Sequence, residues 1–300
     1  MDLQRRNFAL VLSVAAAIAA PAFGQSNNAE SIPDFSGIWA HANPGFEPLA
    51  SGPTAVVNRM RRPNGTGDIL NLTGDHTNPI LKPAAAAAVQ KHAQYHANDQ
   101  GDPNPRNQCH LEGPPFVFTN GPTRIIQGKD KVTILYQYNH QVRHVRMNQR
   151  HPEKVTPTAY GHSVGRYEGD TLVIETVGIK VGKYSMVDWY GTPHSEALRV
   201  VERYRMLSYE EAKEGFERDA KEHNVAPGMP NPNANGKYLQ LHFTVEDPNV
   251  FTTPWSATMT YRNVDNGPND PNWVDSVCAE NIQWFPGQDS DVPRAEKPDF

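Results

Sequence analysis

The chain has little that would mark it as a thiol enzyme, a nucleic-acid binder or a membrane protein. Only two cysteines, Cys109 and Cys278, occur in 300 residues. No basic block follows the first few residues, and the formal net charge is -5, which disfavours nucleic-acid binding. No apolar run is long enough to anchor the chain across a bilayer. No internal repeat is present, and long helical patterns are scarce. Instead there are 26 prolines and 22 glycines with a mean hydropathy of -0.64, the composition of a chain rich in turns and long loops.

The N-terminus reads as a targeting segment. Arg5-Arg6 precede Phe8, an apolar run extends from Val11 to Ala20, and Ala22-Phe23-Gly24 suit signal peptidase, with cleavage before Gln25. Paired arginines ahead of a phenylalanine fit twin-arginine export, with the ordinary secretory route as the alternative. Residues 1–24 are therefore expected to be removed, leaving a protein in the periplasm or outside the cell with no membrane span. In that oxidising setting an even cysteine pair is expected as a Cys109–Cys278 disulfide, with a nucleophilic or metal-bound thiol as the competing reading.

The densest mix of titratable and strand-forming residues runs from Tyr160 to Val177. Two alternating runs flank Glu168-Gly169-Asp170, where glycine supplies the positive φ of a tight turn, so the stretch predicts a β-hairpin. Gly165 inside the first run marks a bend or a close approach. Further strands are expected at Ile38-Trp39-Ala40, Phe116-Val117-Phe118, Arg124 to Gln127, Val132 to Tyr138, Gln141 to Met147, Leu198 to Leu207, Tyr238 to Val245 and Trp255 to Tyr261. Leu239, Leu241, Phe243 and Val245 give one apolar face. Pro83 to His96 reads as a helix with proline in its first turn. There His92 and His96 share one face, a solvated histidine pair more readily than a metal site. Ser208 and Glu211 form a capping box opening a second helix that ends near His223.

Neighbouring strands with short connections predict a mainly β protein. The expected form is an antiparallel, lipocalin-like β-barrel with a few peripheral helices, the alternative being a β-sandwich. Residues 25–300 are read as one barrel domain, with an irregular wrap over 41–115 and a helical insertion over 208–236.

Gly161-His162-Ser163-Val164-Gly165-Arg166-Tyr167-Glu168-Gly169-Asp170-Thr171-Leu172-Val173 resembles the signature of a family of exported bacterial proteins without an established function. Pro33 to Trp39, Pro193-His194-Ser195-Glu196, Glu202-Arg203-Tyr204, Asp247-Pro248 with Pro254-Trp255, and Cys278 to Asn281 extend the resemblance over most of the mature chain. Tyr167 stands where tryptophan is expected, and Glu210 to Lys237 is longer than expected. The resemblance implies export and carries over no catalytic residue. The Gly37-Ile38-Trp39 opening is similar to the first strand of lipocalin-like barrels, where tryptophan closes the barrel base.

The titratable residues around the hairpin point to general acid–base chemistry on a small organic substrate held in the barrel, of lyase, hydratase/dehydratase or isomerase type and without a cofactor. His162 is the expected base, Tyr160 or His194 the acid, and Arg146 or Arg166 the oxyanion holder. His144, His151, Glu175, Trp189 and Glu202 are expected to bind substrate. A zinc site drawn from His144, His151, His162 and His194 is the cofactor alternative, although no compact ligand motif appears. The non-enzyme alternative is a carrier for a small apolar or aromatic ligand, and a third is a surface-interaction module. Gly161 to Gly165 has the letters of a nucleophile elbow, but an elbow needs strand–turn–helix and this serine opens a hairpin. Structural roles compete throughout: Glu175 as the ion-pair partner of Arg166 or Arg203, Glu202 and Arg203 on opposite strand faces, and Trp39, Trp189 and Trp255 as packing.

Overall fold

The alternation read in the sequence becomes a closed barrel because each strand buries one parity of its side chains. The computed structural model describes residues 32–41, 45–68, 70–97, 103–223, 236–267, 273 and 276–278. The expected signal segment lies outside the described residues, as do most of the loop from 224 and the end of the chain.

Strand β1 (Gly37–Ala40) pairs with both β3 (Thr123–Gln127) and β10 (Trp255–Asn263), and this double pairing closes the sheet. Between them, in chain order, lie β4 (Lys131–Tyr136), β5 (Gln141–Met147), β6 (His162–Glu168), β7 (Thr171–Val177), β8 (Arg199–Leu207) and β9 (Tyr238–Glu246). The result is a nine-strand barrel, and the sandwich alternative falls away. A two-residue strand, β2 (Glu47–Pro48), adds to β10 outside the closed ring. All barrel pairings are antiparallel except β5 with β6. A parallel neighbour cannot be reached by a tight turn, and residues 148–161 provide the crossover.

The hairpin forms as expected, with Gly169 at φ 60 in its turn and Gly165 opposite Ile174. Gly165 faces inward, where an added Cβ would lie 2.8 Å from both Met147 Sδ and Val145 Cγ1. Glycine there allows the parallel pair to close over those side chains. Trp39, at the seam between β3 and β10, is fully buried and donates its indole N–H to the Phe35 carbonyl at 2.8 Å.

Phe116 to Thr119 is a 3-10 turn rather than the expected strand. Its four side chains are all buried, so the three-residue apolar run carried no period to separate the two possibilities. Phe118 packs edge-on against Phe243 of β9, and its carbonyl accepts from Tyr261 Oη of β10. The turn therefore packs directly against inward-facing barrel side chains.

Helix α1 (Pro83–Ala97) and helix α2 (Tyr209–His223) appear where the sequence places them. The capping box at the start of α2 is formed, with Glu211 Oε2 accepting from the Ser208 N–H at 2.9 Å. His92 is buried rather than solvated. It packs against Gly191, whose φ of +75 and lack of a Cβ leave room for the imidazole. The His96 side chain lies outside the described residues. Cys109 and Cys278 form the expected disulfide. Among the described residues no helix is long and apolar enough to cross a membrane.

Candidate functional site

Strand parity decides where each titratable side chain goes. On β5, Gln141, Arg143, Val145 and Met147 are buried and point into the barrel, while Val142, His144 and Arg146 point out. On β7, Leu172, Ile174 and Thr176 point in, so Glu175 points out. Most of the residues expected to line the interior therefore stand on the outer wall.

The exterior set forms two groups. Near the hairpin turn, Glu168 accepts from both Arg166 and Arg203. At the other end of the hairpin, His151 Nδ1 and His162 Nδ1 lie 2.9 Å apart, and His151 Nε2 lies 3.7 Å from Glu175 Oε1. Glu175 is held by Arg199, with its two oxygens each 3.1 Å from the guanidinium. Its expected partners Arg166 and Arg203 are taken by Glu168 instead. Arg199's hydrogen bond is the main reason the Glu175 carboxyl sits below its usual range. Burial lowers His151 and His162 from the ordinary imidazole value, with Arg146 adding to the effect on His162. His144 is apart from this group, its Nδ1 facing the Thr133 hydroxyl at 3.3 Å. His194 is apart as well, so the four histidines of the zinc alternative do not converge. Among the described residues no three His, Cys, Asp or Glu side chains are grouped to hold a metal ion.

Of the expected set, Glu202 alone comes from a barrel strand and faces the interior. Arg143, absent from the expected set, meets it there. Its parity with the apolar Val145 and Met147 was the signal that it turns inward. Ser163, Thr176, Tyr136 and Tyr204 complete the group. Burial pushes the Tyr136 phenol up to about 12. This centre is filled by its own side chains and leaves Arg143 no spare donor.

Open space lies at the barrel's end. The loops 137–140, 178–198 and 247–254 all leave from the same end of the barrel, because β5 and β6 start there, β7 ends there, β8 starts there, and β9 and β10 meet there. A cleft of about 320 Å³ is formed by loop 178–186, by segment 105–113 and by Ala159, with His194 in its wall. Loop 178–186 is shaped by hydrogen bonds from the Lys180 N–H to the Thr158 carbonyl at 2.8 Å and from the Gly182 N–H to Ser185 Oγ at 2.7 Å.

His194 is the expected site residue that the cleft includes. It is 8 % exposed, and its Nδ1 lies 3.1 Å from the Ser195 carbonyl. A carbonyl accepts only, so Nδ1 carries the proton and Nε2 the lone pair. Ser195 is fixed in turn by Asp247, which accepts from the Ser195 N–H at 2.6 Å and from its hydroxyl at 2.8 Å. Burial lowers the His194 pKa, outweighing the Ser195 carbonyl and the Asp247 charge, which both raise it. The ring is therefore neutral near pH 7.

Tyr160, next to the cleft residue Ala159, turns instead to Gln141 and donates its hydroxyl to Oε1 at 3.0 Å. Burial raises its phenol above the ordinary value. Gln141 Oε1 also accepts from the Glu112 N–H, and buried Glu112 holds Arg106 through both oxygens. Trp189 packs on Arg106, 5.0 Å from ring centre to guanidinium, and donates to Thr119 Oγ1. Tyr160 and Trp189 thus stabilise the loops around the cleft and do not line it. No protein-family model, no curated protein and no solved structure matches the chain.

Proposed function

We propose that the protein is an exported acid–base enzyme acting on a small organic molecule in the loop cleft at the end of the barrel, with His194 as the group that moves the proton. One observation carries this reading. A buried, neutral imidazole stands in the wall of a concave site with its Nδ1 proton committed to a backbone carbonyl, which leaves Nε2 as a base of fixed tautomer. Such a base takes a proton from carbon; returned to a neighbouring carbon it completes an isomerisation, and passed to a departing hydroxide it releases water, with hydration as the reverse, all without a cofactor. The paired histidines on the outer wall are set aside from this role, because neither His151 nor His162 lines this cleft. Export is part of the proposal and rests on the Arg5-Arg6 leader together with the Cys109–Cys278 bridge.

The carrier reading is supported by the apolar residues of the same cleft, Leu111, Ile179 and Met186. Solvent exchange separates the two. Small hydroxy acids, keto acids and unsaturated acids are incubated with the protein in deuterium oxide and followed by proton NMR. Deuterium incorporation at carbon is expected, and His194→Gln is expected to slow it by roughly 10²–10⁴-fold, the usual contribution of a general base. Ligand binding without exchange in the unaltered protein makes it a carrier and refutes the enzyme reading.

A further inference from the structure

The cleft carries positive charge in an acidic protein. Its lining contains the ammonium groups of Lys180 and Lys183 and no Asp or Glu, while the chain as a whole carries a net charge of -5. Neither lysine has an ion-pair partner among the described residues. Lys183 instead lies 4.9 Å from the centre of the Tyr184 ring, and His110 packs edge-on against the same ring at 5.0 Å. An unpaired ammonium over an aromatic face keeps its charge available to an incoming anion.

Much of the remaining lining is apolar. Ile179 is fully buried, whereas Leu111 leaves 56 % of its surface exposed at the cleft, an uncovered side chain that a ligand body would shield. A volume of about 320 Å³ lies at the small end of ligand pockets and suits a body of one ring or a short branched chain. Charge and apolar surface are held on the same short loop, because Lys180, Lys183, Tyr184 and Met186 all belong to 178–186.

From this geometry we infer that the ligand of the cleft is a small amphipathic carboxylate, its anionic head between Lys180 and Lys183 and its apolar or aromatic body against Leu111, Met186 and Tyr184. The inference rests on the cleft being the working site, as proposed above, and gives that site its substrate class. Desolvation of the carboxylate is offset by two ammonium groups that have no other anion to satisfy. A neutral isostere of the same shape would leave them unpaired and gain only the apolar contact.

Calorimetric titration of the full chain with 3-phenylpropanoate and with 3-phenylpropanamide tests the inference. The carboxylate is expected to bind at least tenfold more tightly than the amide, and more weakly as salt rises. Lys180→Met with Lys183→Met is expected to remove that preference while leaving the amide unchanged. Both lysines are exposed, so circular dichroism and the melting temperature of the double variant should match the parent. Equal binding of the two probes, absence of carboxylate binding at millimolar concentration, or a preference that survives in the double variant would each overturn the inference. The deuterium-exchange assay fails separately: a carboxylate that binds through the lysines but shows no exchange supports the substrate class and sinks the reaction, and exchange confined to neutral substrates does the reverse.

Discussion

Arg143 of β5 and Glu202 of β8 meet inside the barrel, Nη1 to Oε2 at 3.0 Å, with both side chains sealed from solvent. Every guanidinium N–H is used. Ser163, Tyr136 and Thr176 take the donors that Glu202 does not, and Tyr204 donates a further hydrogen bond to Glu202 Oε2. A buried pair so completely satisfied contributes specificity more than net stability. Removing one partner leaves the other charged and unpaired. Arg143→Met is therefore expected to lower stability by about 3–5 kcal/mol. The double variant Arg143→Met with Glu202→Leu is expected to recover much of that loss. Urea unfolding checks both. A single variant as stable as the parent would show that breaking the pair costs the fold nothing.

The same pair shows how far the sequence could be read. The barrel is legible because alternation on β9 is clean, and its apolar set of Leu239, Leu241, Phe243 and Val245 does face inward. The site is not, because a high density of polar residues does not say which side of a strand they face. Density around the hairpin marks the wall with most solvent-facing charge, as Arg166, Arg203 and Glu168 show. Arg143 was hidden by its histidine and arginine neighbours of opposite parity. His194 could be picked out as a titratable loop residue. Its companions Lys180 and Lys183 could not, since only the closed ring brings loop 178–186 against segment 105–113.

Glu47 of β2 links stability to pH. It lies beneath α2, where it accepts from the Thr260 N–H at 2.5 Å and stands 3.5 Å from Arg218. Burial, aided by the Asp219 charge, pushes its carboxyl up to about 7. The folded pKa exceeds the unfolded one, so the contribution is fully present below the unfolded value near 4.5 and is lost as pH rises through 7. Glu47→Gln keeps the shape and removes the ionisation. Relative to the parent it is expected to be more stable at pH 8, by on the order of 3 kcal/mol at most, and no more stable below about pH 4. Denaturant midpoints of the two proteins across that range test this, and their difference cancels the titrating histidines. Parallel curves would mean that Glu47 does not titrate there.

The outer histidines titrate as a pair. A contact of 2.9 Å between two Nδ1 atoms requires one to donate and one to accept, so both rings cannot be fully protonated without breaking it. Both pKa values are lowered, so the contact stabilises the fold above the unfolded value near 6.5 and is lost as pH falls through the folded values. In an NMR titration both rings are expected to protonate below pH 6.5. His151→Gln is expected to move His162 upward, because it removes one of the charges opposing protonation. An unmoved His162 would leave burial and Arg146 as the whole cause.

The disulfide joins residues 169 apart in sequence, yet what it holds is local. The Asn139 N–H donates to the Ser276 carbonyl at 2.7 Å, and Asn139 Oδ1 accepts from the Cys278 N–H at 2.6 Å. The tail is thus already tied to the β4–β5 turn, and cutting the bridge need not free it. The larger effect falls on the unfolded chain, which gains a long loop's worth of freedom. Cys109→Ser with Cys278→Ser is therefore expected to keep the circular dichroism of the parent while losing roughly 2–4 kcal/mol of stability. The reduced parent should behave like the double variant. Because His110 lines the cleft next to Cys109, carboxylate titration of the double variant reads a second quantity. Unchanged affinity together with lowered stability places the effect in the unfolded state. Unchanged stability with weakened affinity would instead make the bridge a brace for segment 105–113 and overturn the entropic account.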